Sequence, residues 1–457
     1  MSRTLAFWPA SLRPIFLNSA AAALGGVRPA GEDTALDPRV ARAKPQAGTY
    51  VLLLAQLGLL LLTIFVYRLE EPIFVWVAAV IFAGFAVHYW LPFRFKEPFW
   101  IALSIAGAYA LFGLFIALLL LGTGLVLFGI LWLPLQFRWR LALVAGAFAV
   151  LMLCRTQVGL PIPNRFWAVF GALFMFRLIV YLYDQSHEKN RPSLQEFLSY
   201  FYLLPNLYFL LFPVIDFRTM RRSYFEKDIH EVAQQGVFWM VRGTIHLVLY
   251  RFVYHLNGRI LGDNITTFPS LLATMLLTYL LYLRVSGQFH IIVGMLHLFG
   301  YNLPETNRRY LLASSFTDYW RRINIYWKDF MVKVVYFPVY FRLRKGGEAR
   351  AQVIATAMVF VVTWFLHVYQ QFWLGGKFLF RWTDSIFWAS LGLLVILNVL
   401  YELKHRSLAA KAAPQPVLLR SVRVAGMLLL ITTLWSLWNA PSLYEWLDLV
   451  TWWKVGI

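Results

Sequence analysis

From Tyr50 onward the chain is a succession of apolar runs separated by short polar loops, and this pattern limits the fold more than any motif does. A helix needs about 20 predominantly apolar residues to cross the hydrocarbon core of a bilayer. Runs of that kind are read near residues 50–67, 73–92, 99–120, 122–136, 139–154, 163–183, 197–215, 234–256, 267–284, 287–300, 352–374, 384–403 and 417–438. Several are short, which predicts roughly ten to twelve spanning helices. The period-2 alternation of an outer-membrane barrel is absent. Hydrophobic residues make up 60% of the chain and charged residues 14%, against nearer half and a quarter in soluble domains, so the runs are not cores of a soluble fold. The expectation is an all-α polytopic membrane protein, with residues 49–457 as one transmembrane domain and 1–48 as a flexible or interfacial segment broken by Pro9, Pro14 and Pro29.

The net charge of +20 does not point to nucleic acid here, because the basic residues sit in loops between apolar runs. That distribution fits anionic headgroups and the positive-inside rule, with the lipid bilayer as partner. The densest cluster, from Arg308 to Arg350, is expected to face the cytoplasm. Residues 404–416 form a second basic loop, and the Trp-rich tail from Glu445 suits a membrane interface. Cys154 is the only cysteine, which excludes an intrachain disulfide and a Cys-based metal cluster. No HExxH, GxxxxGK[ST], GxGxxG or GxSxG occurs, so no metal site, nucleotide-binding loop or serine-hydrolase elbow is expected.

Residues 314–333, SSFTDYWRRINIYWKDFMVK, are too charged to span alone. Phe316, Trp320, Ile323, Trp327, Phe330, Met331 and Val334 recur at helical spacing, while Asp318, Arg321, Arg322, Asp329 and Lys333 fall mostly off that stripe. This predicts an amphipathic helix lying along or partly inside the membrane. Asn324 belongs to the buried stripe, where its amide must find partners, either as a structural cap or as a functional group. In the next apolar helix, read from Val353, Thr363, His367 and Gln370 or Gln371 form one polar stripe. A histidine about 21 Å along such a helix is a candidate proton acceptor or a satisfied core residue. Weaker polar stripes comprise Arg242 with His246, His290 with His297, and Arg177 with Tyr181 and Asp184. They suit helix-to-helix hydrogen bonding or the wall of an internal cavity.

The order of motifs between Tyr282 and Phe330 resembles the membrane-bound O-acyltransferase (MBOAT) family. It is most similar to the bacterial branch of alginate O-acetylation and lipoteichoic-acid D-alanylation. The matching residues are Ser286, Gly287, Leu298, Phe299, Gly300, Ser315, Phe316, Asp318, Trp320, Arg321 and Arg322. FRLIVYLYD at 176–184 and LLFPVIDF at 210–217 match weaker upstream features. The chain departs from the branch in having Ile323 and Asn324 where a Trp-His pair is usual, and Val368 rather than Gly after His367. The resemblance implies a helical bundle around a tunnel, in the bacterial inner membrane. It implies catalysis by His367 and Asn324, with Trp320, Arg321, Arg322, Asp318, Trp327, Thr363, Gln370 and His290 binding substrate or lining the tunnel. It implies no bound cofactor. An acyl thioester, acyl-CoA or an acyl-carrier protein, is the implied co-substrate, and a hydroxyl of an envelope glycan or lipid the acceptor. An alternative is a non-catalytic relay that hands acyl groups to an extracytoplasmic transferase partner. A transporter would carry inverted repeats, and none is evident.

Overall fold

The computed structural model describes residues 37–156, 161–188, 191, 193–262, 267–405 and 416–451. Most of the expected N-terminal segment (1–36), most of the 404–416 loop and the last six residues of the tail lie outside them. The described residues fold as helices, joined by loops, with an isolated bridge between Tyr224 and Tyr301. In chain order they are α1 (Pro38–Arg42), α2 (Ala47–Val66), α3 (Pro72–Trp90), α4 (Phe93–Trp132), α5 (Phe137–Thr156), α6 (Asn164–Phe174) and α7 (Arg177–Ser186). There follow α8 (Leu194–Phe201), α9 (Leu204–Tyr208), α10 (Phe217–Ser223), α11 (Ile229–Gly262), α12 (Phe268–Leu280) and α13 (Leu283–Leu298). The C-terminal part holds α14 (Phe316–Arg322), α15 (Ile325–Met331), α16 (Phe337–Leu343), α17 (Glu348–Gly375), α18 (Trp382–Lys404), α19 (Val417–Asn439) and α20 (Leu443–Val450).

Among the described residues, nine helical stretches are long and apolar enough to cross a membrane, α6–α7 and α12–α13 each counting as one. The protein is therefore an all-α, multi-pass integral membrane protein. The sequence reading splits two of these stretches. The expected spans 99–120 and 122–136 belong, as far as Trp132, to one 40-residue helix, α4, whose break is not a loop but the single non-helical Gly113 (φ 77°, ψ 169°). Only glycine visits that backbone region without strain, so one residue redirects the helix with no connecting loop. Likewise 267–284 and 287–300 form the α12–α13 stretch.

The expected span at 197–215 does not form. Its larger apolar residues are mostly buried in protein rather than lipid-facing: Phe197, Tyr200, Phe201 and Leu204 are almost wholly enclosed. Ser193 and Glu196 make a reciprocal capping box that starts α8, and Pro205 starts α9. Irregular backbone follows from Phe209 to Asp216. Such backbone is tolerated at membrane depth where it lines an internal space. The run at 234–256 does become a helix, the 34-residue α11, which carries Arg242, Arg251 and Arg259.

Helix surfaces divide accordingly. Val144 is the only fully enclosed residue of α5, whose remaining apolar side chains suit lipid. By contrast α13 is buried along nearly its whole length. It runs antiparallel to α11 through two glycine pairs at heptad spacing, Gly236 with Gly294 and Gly243 with Gly287. A Cβ on Gly236 would stand 2.7 Å from the Gly294 carbonyl oxygen, and one on Gly243 2.6 Å from that of Gly287. Backbone therefore touches backbone, the packing that small residues allow where no hydrophobic effect drives helices together.

Candidate functional site

The expected continuous amphipathic helix at 314–334 breaks in its middle. Ser315 caps α14 by accepting from the Asp318 N–H at 3.1 Å, and α14 stops at Ile323 (φ −89°, ψ 137°). Asn324 follows in the left-handed conformation (φ 39°, ψ 62°) and caps α15, its Oδ1 accepting from the Trp327 N–H at 3.3 Å. The cause lies in the neighbouring segment 306–308, which competes for the backbone. The Arg308 N–H donates to the Arg322 carbonyl, and the Ile325 N–H to the Thr306 carbonyl, each at 2.8 Å. Asn307, fully buried, accepts from the Asn324 N–H at 2.8 Å and from the Tyr282 hydroxyl at 3.1 Å. These partners satisfy backbone groups that a continuous helix would have paired internally. Past α15 the chain takes one π-helical turn, Val332–Tyr336, before α16.

The charged residues of α14 fasten it to its surroundings. Arg322 pairs with Asp318 at 2.6 Å, and Arg321 with Glu402 of α18 at 3.4 Å. Thr317 donates to the same Glu402, and Asn398 accepts from the Phe316 N–H at 3.0 Å. Partial burial draws the Arg321 guanidinium below its ordinary pKa, an effect that the Glu402 and Asp318 carboxylates oppose.

His367 lies on α17, about 28 Å beyond Glu348 at 1.5 Å per residue. Its Nδ1 is 2.8 Å from the Thr363 carbonyl oxygen, which can only accept, so Nδ1 carries the proton. The uncharged ring then has its lone pair on Nε2. Thr363 Oγ1 in turn accepts from the Trp327 indole N–H at 3.3 Å, which links α15 to the histidine's own helical turn. Three indoles surround the imidazole: Trp388 at 4.7 Å between ring centroids, Trp327 at 5.3 Å and Trp438 at 6.0 Å.

These elements enclose a cavity of about 730 Å³, within the range of small-ligand sites. His367, Asn324, Trp320, Trp327 and Gln370, five of the residues expected at the site, line it together. The other five do not reach it. Asp318, Arg321 and Arg322 are engaged in the ion pairs of α14, and Thr363 is buried between Trp327 and His367. His290 sits on the far side of α13, bonded to the Ser286 carbonyl at 2.6 Å and packed against Trp239 and His246 of α11. It belongs to the α11–α13 contact, not to the cavity wall.

The wall also contains residues that the sequence reading did not single out, namely Phe212, Val285, Phe289, Arg381, Asp384, Trp388 and Trp438. Most are aromatic or aliphatic side chains on apolar helices, where periodicity cannot distinguish a cavity face from a lipid face. Asp384 stands in the first turn of α18, at the edge of the apolar run, where a carboxylate is an ordinary helix-start residue and gives no signal of a site. The polar stripe of α7 is divided: Arg177 reaches the cavity, whereas Asp184 turns to Lys333 and Arg218.

No protein-family model matches the chain, and no curated protein matches it. Fold and site define a multi-pass α-helical membrane protein with a cavity on which one histidine and one asparagine converge.

Proposed function

We propose that the protein is a membrane-embedded O-acyltransferase that moves a short acyl group from a thioester donor to a hydroxyl of an envelope glycan or lipid. The observation that carries this reading is the state of the two polar groups on one cavity. His367 spends its Nδ1–H on Thr363 and keeps a lone pair on Nε2, and Asn324 spends its Oδ1 on the Trp327 N–H and keeps its amide NH₂. One is a base, the other a donor. The motif order around Asn324, similar to that of membrane-bound O-acyltransferases, supports the same reading.

In the proposed reaction Nε2 takes the proton of the acceptor hydroxyl while that oxygen attacks the thioester carbonyl carbon. The Asn324 amide donates to the developing oxyanion. When the tetrahedral intermediate collapses, the C–S bond breaks, the imidazolium returns its proton to the departing thiolate, and an ester remains. The indoles of Trp327, Trp388 and Trp438 limit water around the imidazole, which protects the thioester from hydrolysis. Acyl-CoA or an acyl-carrier protein is the proposed donor, and the bacterial inner membrane the proposed location.

The test uses purified full-length chain in nanodiscs, a radiolabelled acetyl thioester and a panel of hydroxyl acceptors, with His367→Ala alongside at matched folding. Transfer by the wild type, lost in His367→Ala, is the expected result. Undiminished transfer by His367→Ala overturns the assignment of the base. A relay that only hands acyl groups to a separate transferase would give no acceptor ester without its partner.

A further inference from the structure

Three hydrogen bonds to the 306–308 segment brace the left-handed turn at Asn324, and only one of them ends on a side chain. Arg308 N–H to Arg322 carbonyl and Ile325 N–H to Thr306 carbonyl are main-chain pairs, whatever the side chains there. The third runs from the Asn324 N–H to Oδ1 of Asn307 at 2.8 Å. Asn307 is wholly buried and does not line the cavity. Its Oδ1 also accepts from the Tyr282 hydroxyl at 3.1 Å, which fills both lone pairs. Its Nδ2 donates to Thr306 Oγ1 at 3.4 Å. A backbone N–H can only donate, so the end of the amide that faces Asn324 is fixed.

Asn307 is in turn mounted on the closely packed part of the bundle. Its carbonyl accepts from Nη2 of Arg242 at 3.3 Å, and Nη1 of Arg242 pairs with Glu305 at 2.6 Å. Arg242 belongs to α11 and stands next to Gly243, one of the glycines through which α11 meets α13. Tyr282 directly precedes α13. A non-glycine residue at positive φ persists where its surroundings over-determine it. Here the bond that does so comes from outside α14 and α15, and it acts on a residue of the cavity wall.

We infer that Asn307 is a positioning residue of the site: it holds the Asn324 turn and so sets where the Asn324 amide stands in the cavity. It acts through that neighbour, not on a substrate. The inference rests on the acyl-transfer reading for its kinetic consequence, and on the hydrogen bonds alone for the rest. A misplacement of about 1 Å costs on the order of 100-fold in rate. Release of Asn324 therefore lowers kcat and leaves KM nearly unchanged, because Asn307 itself makes no contact in the cavity.

The test compares full-length wild type, Asn307→Leu and Asn307→Asp in nanodiscs. Leucine is of similar size and removes the acceptor, whereas aspartate keeps it. Backbone hydrogen exchange is read over residues 322–327, and kinetics with radiolabelled acetyl-CoA as donor. Asn307→Leu is expected to exchange about tenfold faster there, the loss of one net hydrogen bond. It should also lose about 10–100-fold in kcat with KM within about threefold. Asn307→Asp should restore both protection and rate, which a role in packing alone does not predict. Unchanged exchange in Asn307→Leu overturns the inference, as does a kcat within about threefold of wild type. A loss that Asn307→Asp does not reverse overturns it too. Absence of transfer by the wild type counts against the acyl-transfer reading, and exchange in the two variants then decides this inference by the same criteria. Should Asn307→Leu not fold, Asn307→Ser, which leaves room for water at the orphaned groups, replaces it under those criteria.

Discussion

Asn324 holds two positions at once, as helix cap and as candidate oxyanion donor, and one substitution separates them. Its backbone is left-handed at φ 39°, a conformation that costs a side-chain-bearing residue about 1–2 kcal/mol and glycine nothing. Its side chain caps α15 at 3.3 Å, a contact worth about 0.5–2 kcal/mol against alanine but only a few tenths against glycine. Its N–H is held by Asn307 from outside, so neither substitution disturbs that bond. Asn324→Ala loses the cap while keeping the strained backbone, and should destabilise by about 0.5–2 kcal/mol. Asn324→Gly loses little capping and relieves strain, offset by the larger entropy of the unfolded chain, and should stay within about 1 kcal/mol of wild type. If the amide NH₂ also stabilises an oxyanion, Asn324→Gly should still lose about 10²–10³-fold in acyl transfer. Thermal unfolding in nanodiscs gives the first quantity and initial rates of transfer give the second. A glycine variant that is as stable as wild type and within about tenfold of its rate would refute the catalytic role and leave Asn324 a cap.

Two further outcomes follow from packing and charge. Gly243→Ala should destabilise by about 1–3 kcal/mol, because its new carbon meets a carbonyl oxygen of α13 rather than a movable side chain. Gly146→Ala, with nothing within 4 Å, should stabilise or be neutral, and equal melting temperatures for the two variants would contradict the close helix contact. Lys333→Met should cost about 3 kcal/mol, since the fully buried Asp184 keeps only Arg218 at 3.6 Å. Adding Asp184→Asn should recover part of that loss in thermal unfolding, and strictly additive losses would mean that the two do not form a pair.

Fold class was readable because apolar length is a direct demand of the bilayer. Periodicity was a poorer guide to what happens inside an apolar stretch. The stripe from Phe316 to Val334 keeps helical spacing across Asn324, so the pattern reads straight through a break that a distant segment, 306–308, imposes. The run at 197–215 was apolar for a different reason than contact with lipid, and its signals of interruption were Pro205 and Pro213. Site residues fared unevenly on the same grounds. His367, Asn324 and Gln370 were visible as polar groups among apolar ones, and they do meet at the cavity. His290 looked identical in sequence but lies on the helix face that meets α11, and spacing along one helix cannot say which neighbour that face meets.

The paired glycines of α11 and α13 bear on how the cavity can change shape. One face of α13 supplies Val285 and Phe289 to the cavity, and the opposite face is locked to α11 with no side chain between the backbones. A wall mounted on such a contact has no slack to yield, since any shift must separate two main chains. Indoles on α18 and α19 form another part of the wall, Trp388, Trp435 and Trp438 packed on one another and on Phe387. The cavity therefore has one side that cannot retreat, and accommodation of a bulkier guest falls to the other elements that line it.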